Sequence, residues 1–151
     1  MKPIAIGADD AAFEFRNKIV DFLTQKGIKT IDYSSDKQAC NSLYPDVANA
    51  VACSIKNGTH DRGILMCGTG IGVAIAANKV PGIRAAQCHD IFSAERARKS
   101  NNAQIMTMGA RVIGIELAKK LVQAWLESEF EGGGSTVKVE RINHYDKLYN
   151  K

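Results

Sequence analysis

A cysteine followed by three glycines at alternate positions is the segment of this chain best suited to chemistry. It reads Cys67-Gly68-Thr69-Gly70-Ile71-Gly72, after the apolar run 63–66 and before the helix-forming run 73–77. The pattern predicts a buried strand, a tight loop and a helix start, so that the thiol faces bare backbone N–H groups. Partial positive charge at a helix N-terminus favours anions and the thiolate form of cysteine. The sequence therefore predicts a base beside a cradle for negative charge.

The same loop has a purely structural interpretation. It can be a tight turn in which Cys67 is a small core residue, since free cysteines are usually buried hydrophobes. The glycine spacing also resembles a dinucleotide-binding fingerprint, but it follows the third predicted strand rather than the first, and no Gly-Lys-Ser/Thr follows it. The local sequence alone leaves the structural and the chemical interpretation open.

Composition restricts the classes of function. The chain has 151 residues, 45% hydrophobic and 24% charged, which is typical of one globular domain. Its net charge of +4 comes from basic residues spread along the chain, so we do not expect a nucleic-acid partner. The N-terminal apolar run is too short for a signal peptide and no stretch approaches a membrane span, so we expect no membrane association and a cytoplasmic location. Four cysteines without a Cys-x-x-Cys pair predict free thiols and no metal site: Cys40, Cys53, Cys67 and Cys88.

Strand and helix patterns alternate along the chain. Strands are predicted over 4–6, 28–33, 61–67, 83–88 and 104–108, and helices over 12–25, 46–57, 73–77 and 91–99, with a polar loop at 34–45 and Asp46 as a helix cap. A final amphipathic helix carries Leu117, Leu121, Val122, Trp125 and Leu126 on one face. This order predicts the α/β class: a single Rossmann-like three-layer α/β/α sandwich around a five-stranded parallel sheet.

The chain divides at residue 130. Residues 1–130 form the predicted domain, and 131–151 form a C-terminal tail that begins with a flexible segment, 131–135. The tail has the apolar pattern of one more helix but little core of its own to pack on. We therefore expect it to dock on a neighbouring subunit.

Ligands in parallel sheets bind beyond the carboxyl ends of the strands, and these ends carry several polar residues. Asp9 and Asp10 follow the first strand, His89 ends the fourth and Arg111 follows the fifth, so we expect them to converge on the edge that carries the 67–72 loop. The two aspartates can cap a helix, bind hydroxyl groups, or do both.

The remaining charged candidates are weaker. Arg111 and Lys138 are candidate phosphate ligands, although single basic residues are more often solvated charges. His60 and His144 fall in a predicted surface loop and in the tail, where we expect solvated side chains.

Taken together, the motifs resemble those of a known family. They are Gly7-Ala8-Asp9, Tyr44-Pro45-Asp46, Asp61 to Gly72, Ala76-Ala77-Asn78-Lys79, Gly82-Ile83-Arg84-Ala85-Ala86, Cys88-His89-Asp90 and Gly109-Ala110-Arg111-Val112-Ile113-Gly114. This set resembles ribose-5-phosphate isomerase type B and the galactose-6-phosphate isomerase subunits, over nearly the whole chain in order.

The resemblance implies an aldose–ketose isomerase that works without a metal or cofactor, through a cis-enediolate, in a homodimer or homotetramer with active sites between subunits. It implies that Cys67 is the base that moves the proton and that Thr69 assists sugar binding or ring opening. Gly68, Gly70, Ile71 and Gly72 line the oxyanion cradle. The resemblance further implies that Asp9 binds sugar hydroxyls, that Asp10 lies in the substrate site on the phosphate side, and that Arg111 and Lys138 bind phosphate. It implies that Ser100 and Asn101 contact the sugar, Asn101 from the partner subunit.

Three departures from the ribose enzymes bear on the substrate. Asp10 stands where they have a phosphate-side histidine, Ser100 where they have a ring-opening histidine, and Gly134 where they have a phosphate-binding arginine. A four-carbon aldose phosphorylated on O4 cannot close a furanose ring and needs no ring opening. The sequence around Ser100 resembles the D-erythrulose-4-phosphate isomerase branch used in erythritol breakdown. We therefore predict interconversion of D-erythrulose 4-phosphate and D-erythrose 4-phosphate.

Three alternatives remain. The chain could act on ribose 5-phosphate, as in the pentose phosphate pathway, or on a hexose 6-phosphate, with His89 or a water replacing the missing acid. It could be a noncatalytic sugar-phosphate-binding subunit. A nucleotide-binding module is a more distant possibility.

Overall fold

The computed structural model describes residues 1–34 and 43–149. In this part of the chain five strands alternate with helices. The strands are β1 (Ile4–Ala8), β2 (Thr30–Asp32), β3 (Gly63–Cys67), β4 (Ala85–Gln87) and β5 (Ile105–Gly109). The helices are a 3-10 turn (Asp10–Ala12), α1 (Phe13–Gln25), α2 (Tyr44–Lys56), α3 (Ile71–Ala77), α4 (Ile91–Lys99), α5 (Ile115–Leu126) and α6 (Gly134–Tyr149).

All strand pairs are parallel, and the sheet order is β2-β1-β3-β5-β4. The chain moves outward from β1 to β2 and then returns to the other side of β1 at β3. This reversal opens a crevice beyond the carboxyl ends of β1 and β3, where ligands bind in open α/β sheets. The predicted α/β class with a five-stranded parallel sheet is confirmed.

Alternate residues of the buried strands divide the core between the two faces of the sheet. One face packs Ile64 and Met66 of β3 with α1, α4 and α5, around Trp125. The other packs Leu65 and Cys67 with α2 and α3. Both faces are covered, so the strands are apolar throughout rather than alternating. Cys67 therefore points to the α2–α3 side of the sheet.

Several local predictions were wrong. Helix α2 begins at Tyr44 with Pro45 in its first turn, where the missing N–H costs nothing, so Asp46 lies inside the helix and does not cap it. Leu117 of α5 is 36% exposed, and Ala118 packs on the sheet instead. Gly134 and the residue after it belong to α6, so the irregular segment is shorter than predicted.

His60 is the clearest correction. It is buried, not solvated: its Nδ1 lies 2.7 Å from the carbonyl oxygen of Pro3, and its Nε2 lies 2.8 Å from the hydroxyl of Tyr33. Because the Pro3 carbonyl can only accept, Nδ1 carries the proton and Nε2 accepts from Tyr33. His144 is exposed on α6, as predicted.

Three cysteines in the described residues are free thiols: Cys53, Cys67 and Cys88. Cys40 and most of the predicted 34–45 loop lie outside the described residues. Across residues 1–34 and 43–149, none of the helices has the length and apolar character needed to span a bilayer.

Candidate active site

Three strand ends meet where the chain reverses direction in the sheet. Ala8 pairs with Met66 and Cys67 with Gly109, so β1, β3 and β5 end side by side. The Asp9 N–H extends the ladder by donating to the Met66 carbonyl at 3.3 Å. Asp9 therefore follows β1 directly beside Cys67, as the sequence predicted.

The Cys67 sulfur lies inside the glycine loop. Its Sγ accepts a hydrogen bond from the Gly70 N–H at 3.1 Å, and the side chain is 6% exposed. Thr69 is exposed on the loop, and its Oγ1 accepts from the Ile71 N–H at 3.2 Å, which leaves its own O–H group available to donate. The loop thus directs an N–H at the sulfur and a hydroxyl at solvent.

Two glycines allow the loop to lie across β5. Gly70 has φ +75°, a left-handed conformation, and a Cβ there would stand 2.7 Å from the backbone of Met108. A Cβ on Gly109 would stand 2.6 Å from the Thr69 backbone. Any larger residue at either position would force the loop off the end of β5 and move the Gly70 N–H away from Cys67.

Three polar side chains hold this loop and the end of β5, and the sequence analysis selected His89 among them but not Thr107 or Gln87. Thr107, fully buried on β5, donates to the Gly70 carbonyl at 2.7 Å, and Gln87 donates to the Thr69 carbonyl at 2.8 Å. His89 Nε2 accepts the Gly109 N–H at 3.0 Å, which requires that nitrogen to be unprotonated. In the sequence, Thr107 could have been recognised as a functional residue because it is a polar residue within an apolar strand.

Asp9 carries the clearest electrostatic signature. Burial raises its pKa above the usual aspartate value, the neighbouring charge of Asp10 adds to the rise, and the Ala11 N–H and Arg111 act against it. Its Oδ1 is buried and has no hydrogen-bond partner among the described residues. A buried acceptor without a partner costs free energy, and a ligand hydroxyl would satisfy it.

Arg111 closes the site on the β5 side. Its N–H donates to the Gly68 carbonyl at 3.0 Å, and a Cβ on Gly68 would lie 3.5 Å from its Cδ and Nη1. The guanidinium therefore lies against the loop at van der Waals distance from Gly68. Arg111 is exposed, so its remaining donors are accessible to an anion.

Comparison with known proteins identifies the relatives of this chain. Residues 4–142 match the family described as Ribose/Galactose Isomerase. The chain belongs to this family. A D-erythrulose-4-phosphate isomerase of Pectobacterium atrosepticum is 62% identical over 97% of this chain and 96% of its own. A ribose-5-P isomerase B of Listeria innocua is 52% identical over 95% of this chain and 97% of its own. Ribose-5-phosphate isomerase B of Clostridium thermocellum superposes with a TM-score of 0.93, 43% identity and 99% coverage of both chains.

Membership of the ribose/galactose isomerase family confirms the resemblance seen in the sequence and the predicted class, an isomerase of sugar phosphates. Cys67, Thr69, Asp9 and Arg111 do meet at one edge of the sheet. Asp10, in the 3-10 turn, is exposed beside Asp9.

The other predicted site residues lie elsewhere in the isomerase fold. Ser100 and Asn101 follow α4, which runs from the carboxyl to the amino edge of the sheet. The Asn101 carbonyl accepts from Arg84, just before β4, at 3.1 Å. Lys138 is exposed on α6, whose Asn143 accepts from Arg84 at 2.9 Å. Within one chain these three residues are not brought to Cys67.

Cys88 provides an internal contrast to Cys67. It follows β4 at the same edge, but burial, with a smaller contribution from Asp90, raises its pKa to about 12. It therefore remains a thiol at neutral pH, and its Sγ donates to the carbonyl of Ala86 at 3.5 Å. Of the two cysteines at this edge, only Cys67 receives a backbone N–H.

Proposed function

We propose that this protein interconverts D-erythrulose 4-phosphate and D-erythrose 4-phosphate, in the breakdown of erythritol, with Cys67 as the base. The observation that carries the isomerase chemistry is the Gly70 N–H aimed at Cys67 Sγ, beside an unpartnered Asp9 oxygen and the accessible guanidinium of Arg111. The site thus offers a base, a hydroxyl acceptor and a phosphate ligand at one edge.

The reaction moves one proton between adjacent carbons. The Cys67 thiolate removes the proton from the carbon next to the carbonyl, so that the C–H bond breaks, an S–H bond forms and the electron pair creates a cis-enediolate. The hydroxyl proton moves between the two neighbouring oxygens, and Cys67 returns its proton to the other carbon. Negative charge develops on oxygen beside the loop N–H groups, which stabilise it without reorganising.

The substrate contacts follow from what each group can donate or accept. The free O–H of Thr69 donates to the sugar, Asp9 Oδ1 accepts a sugar hydroxyl, and Arg111 binds the phosphate. The backbone from Gly68 to Gly72 forms the oxyanion cradle. Asp10 adds negative charge where the ribose enzymes have a phosphate-side histidine, which favours a shorter substrate whose phosphate lies away from it.

Two observations favour a four-carbon substrate. Ser100 has no group that could protonate a ring oxygen at neutral pH, and a tetrose 4-phosphate has no furanose ring to open. The relative with 62% identity is named for D-erythrulose 4-phosphate. The relative named for ribose 5-phosphate, at 52% identity, makes that pentose the second candidate.

We propose that the working unit is a homodimer or homotetramer with its active sites between subunits. Ser100, Asn101 and Lys138 lie away from Cys67 in their own chain, so they reach a site only in another copy. Large apolar side chains are exposed around the Cys67 edge and its covering helices: Leu43, Tyr44, Ile71, Ile75, Ile91 and Phe92. On α6, Val137, Ile142, Tyr145 and Leu148 are exposed as well, which supports a docking role for the 131–151 tail beside the 1–130 domain.

A panel of four-, five- and six-carbon aldose and ketose phosphates tests the substrate. We expect kcat/KM to be highest for the tetrose pair. Strong turnover of ribose 5-phosphate with none of the tetrose would refute the assignment and favour the pentose enzyme.

Cys67→Ala tests the chemistry against a noncatalytic binding role. The enzyme should lose most of its turnover, about 10²–10⁴-fold, the range for loss of a general base, while a tetrose phosphate still raises the melting temperature of the variant. Cys88→Ala, at the same edge but outside the loop, is the matched control and should keep turnover. If Cys67→Ala keeps wild-type turnover, Cys67 is not the base.

A further inference from the structure

Ser100 does not act alone, because its hydroxyl is already engaged by a cation one helical turn earlier. Arg96 Nε donates to Ser100 Oγ at 2.8 Å, at the C-terminal end of α4. The Arg96 side chain is 34% exposed, and its Nη2 lies 3.8 Å from Glu131, so the guanidinium keeps accessible donors. The two residues form one unit, the Arg96–Ser100 pair.

The Arg96–Ser100 pair lies on a rigid segment. Arg84 binds the carbonyls of Asn101 and Asn102 at 3.0–3.2 Å. Buried Arg98 binds the side chain of Asn102 at 3.2 Å and the carbonyl of Ala103 at 2.9 Å. Asn102 adopts φ +49°, the sole non-glycine residue with positive φ in the described part of the chain. Such a segment presents its side chains in a fixed geometry rather than as a mobile loop.

We infer that Arg96 is the specificity-determining residue that restricts the enzyme to open-chain sugar phosphates, through its hydrogen bond to Ser100. The inference rests on the proposed function, in which Ser100 reaches the site of a second copy. Because Ser100 Oγ accepts from Arg96, its own O–H group is available to donate. A guanidinium does not release a proton at neutral pH. The pair can therefore stabilise a carbonyl oxygen or an oxyanion, but it cannot protonate a ring oxygen.

The inference predicts that replacing Ser100 with histidine does not create a ring-opening acid as long as Arg96 is present. The Nε–H of Arg96 would bind the imidazole lone pair, and the adjacent positive charge would disfavour the imidazolium. Removing Arg96 would release the imidazole to act as the acid. The two substitutions should therefore be strongly non-additive for a closed-ring substrate.

The experiment is a double-mutant cycle of Ser100→His and Arg96→Met, assayed with ribose 5-phosphate and with D-erythrose 4-phosphate. We expect Ser100→His alone to raise kcat/KM for the pentose by no more than about threefold. The double variant should raise it by about 10²-fold, the lower range for a general acid. Arg96→Met alone should lower kcat/KM for the tetrose about tenfold, because a charge-assisted contact is lost. Lys99→Met, which removes a neighbouring cation that also faces Glu131, is the control and should change neither value.

Melting temperature and oligomeric state are measured for every variant at one protein concentration. If Arg96→Met does not fold, Arg96→Leu replaces it, because leucine is also a good helix former and lacks both the donor and the charge. Equal pentose turnover by Ser100→His and the double variant would overturn the inference while leaving the tetrose assignment intact. A wild-type enzyme inactive on the tetrose but showing the predicted cycle would refute the proposed substrate and leave the role of Arg96 intact.

Discussion

Thr107 provides the sharpest test of how the glycine loop supports catalysis. It is fully buried on β5, and its Oγ1 donates to the carbonyl of Gly70 at 2.7 Å. The same residue, Gly70, directs its N–H at Cys67 Sγ at 3.1 Å. Thr107→Val removes the hydroxyl and keeps the branched shape, whereas Thr107→Ser keeps the hydroxyl and removes the methyl. Comparing these two variants separates the contribution of the hydrogen bond from the contribution of packing.

The two variants should lose similar stability. Thr107→Val leaves the buried Gly70 carbonyl without this donor, which costs about 1–3 kcal/mol, and removing a buried methyl costs about 1 kcal/mol. For a chain of this size, each kcal/mol lowers the melting temperature by about 2–4 °C. Both variants should therefore melt a few degrees below the wild type, and stability alone will not distinguish them.

Turnover should distinguish them. Without the Thr107 hydroxyl, Gly70 is free to move relative to Cys67, and misplacing a catalytic group by about 1 Å can cost up to about 10²-fold in rate. We expect Thr107→Val to lower kcat about tenfold and Thr107→Ser to stay within about twofold of wild type. The assay is initial-rate kinetics with a tetrose phosphate, beside thermal melts at one protein concentration. If the two variants have the same kcat, Thr107 contributes only packing and our account of the loop is wrong.

Asp9, Asp10, Arg62 and the tail give four further predictions. Because burial raises the folded-state pKa of Asp9 above its unfolded value, ionised Asp9 costs stability at neutral pH. Asp9→Asn should therefore melt higher than wild type at neutral pH and bind substrate less tightly. The melting difference should shrink as pH falls below the raised pKa and vanish below the unfolded-state pKa, and a difference that persists there would contradict this. Asp10→Asn removes one cause of the rise, so the acid limb of kcat/KM should move to lower pH, and an unmoved limb would argue against Asp9 as the titrating group. Arg62→Met leaves the carbonyls at the end of α5 without their buried donor and should cost at least about 1–3 kcal/mol, the penalty for one unpaired buried acceptor, measured by urea denaturation. Ending the chain after Phe130 should lower the oligomeric state seen by light scattering, and an unchanged mass would refute the docking role of the tail.

The elements and the site edge were predictable from local patterns, whereas the strand order was not. Apolar runs bounded by glycine and polar residues located all five strands, and chain order alone placed Asp9, Cys67 and Arg111 at carboxyl ends. The position of β4 outside β5 depends on pairing between distant segments, which hydrophobic periodicity does not encode.

Buried polar residues were missed for a related reason. The sequence predicted a solvated His60, and an arginine such as Arg62 is almost never fully buried unless it is paired. Their partners lie far along the chain: Pro3 and Tyr33 for His60, and the carbonyls after residue 124 for Arg62. Burial of a polar group is decided by whether partners surround it, and these partners are visible only in the folded structure.

The separation of the predicted site residues between two edges of the sheet has a consequence for substrate choice. Cys67 and its loop are fixed by β3 and β5 contacts that tolerate little change, since Gly70 and Gly109 have no room for a side chain. Ser100 lies at the opposite edge, on a segment anchored by Arg84 and Arg98. In the proposed oligomer, this segment completes the site of another copy. Residues that determine sugar specificity can then change without disturbing Cys67. A serine at position 100, where the resemblance implies a ring-opening histidine in the ribose enzymes, is therefore compatible with an unchanged Cys67 loop.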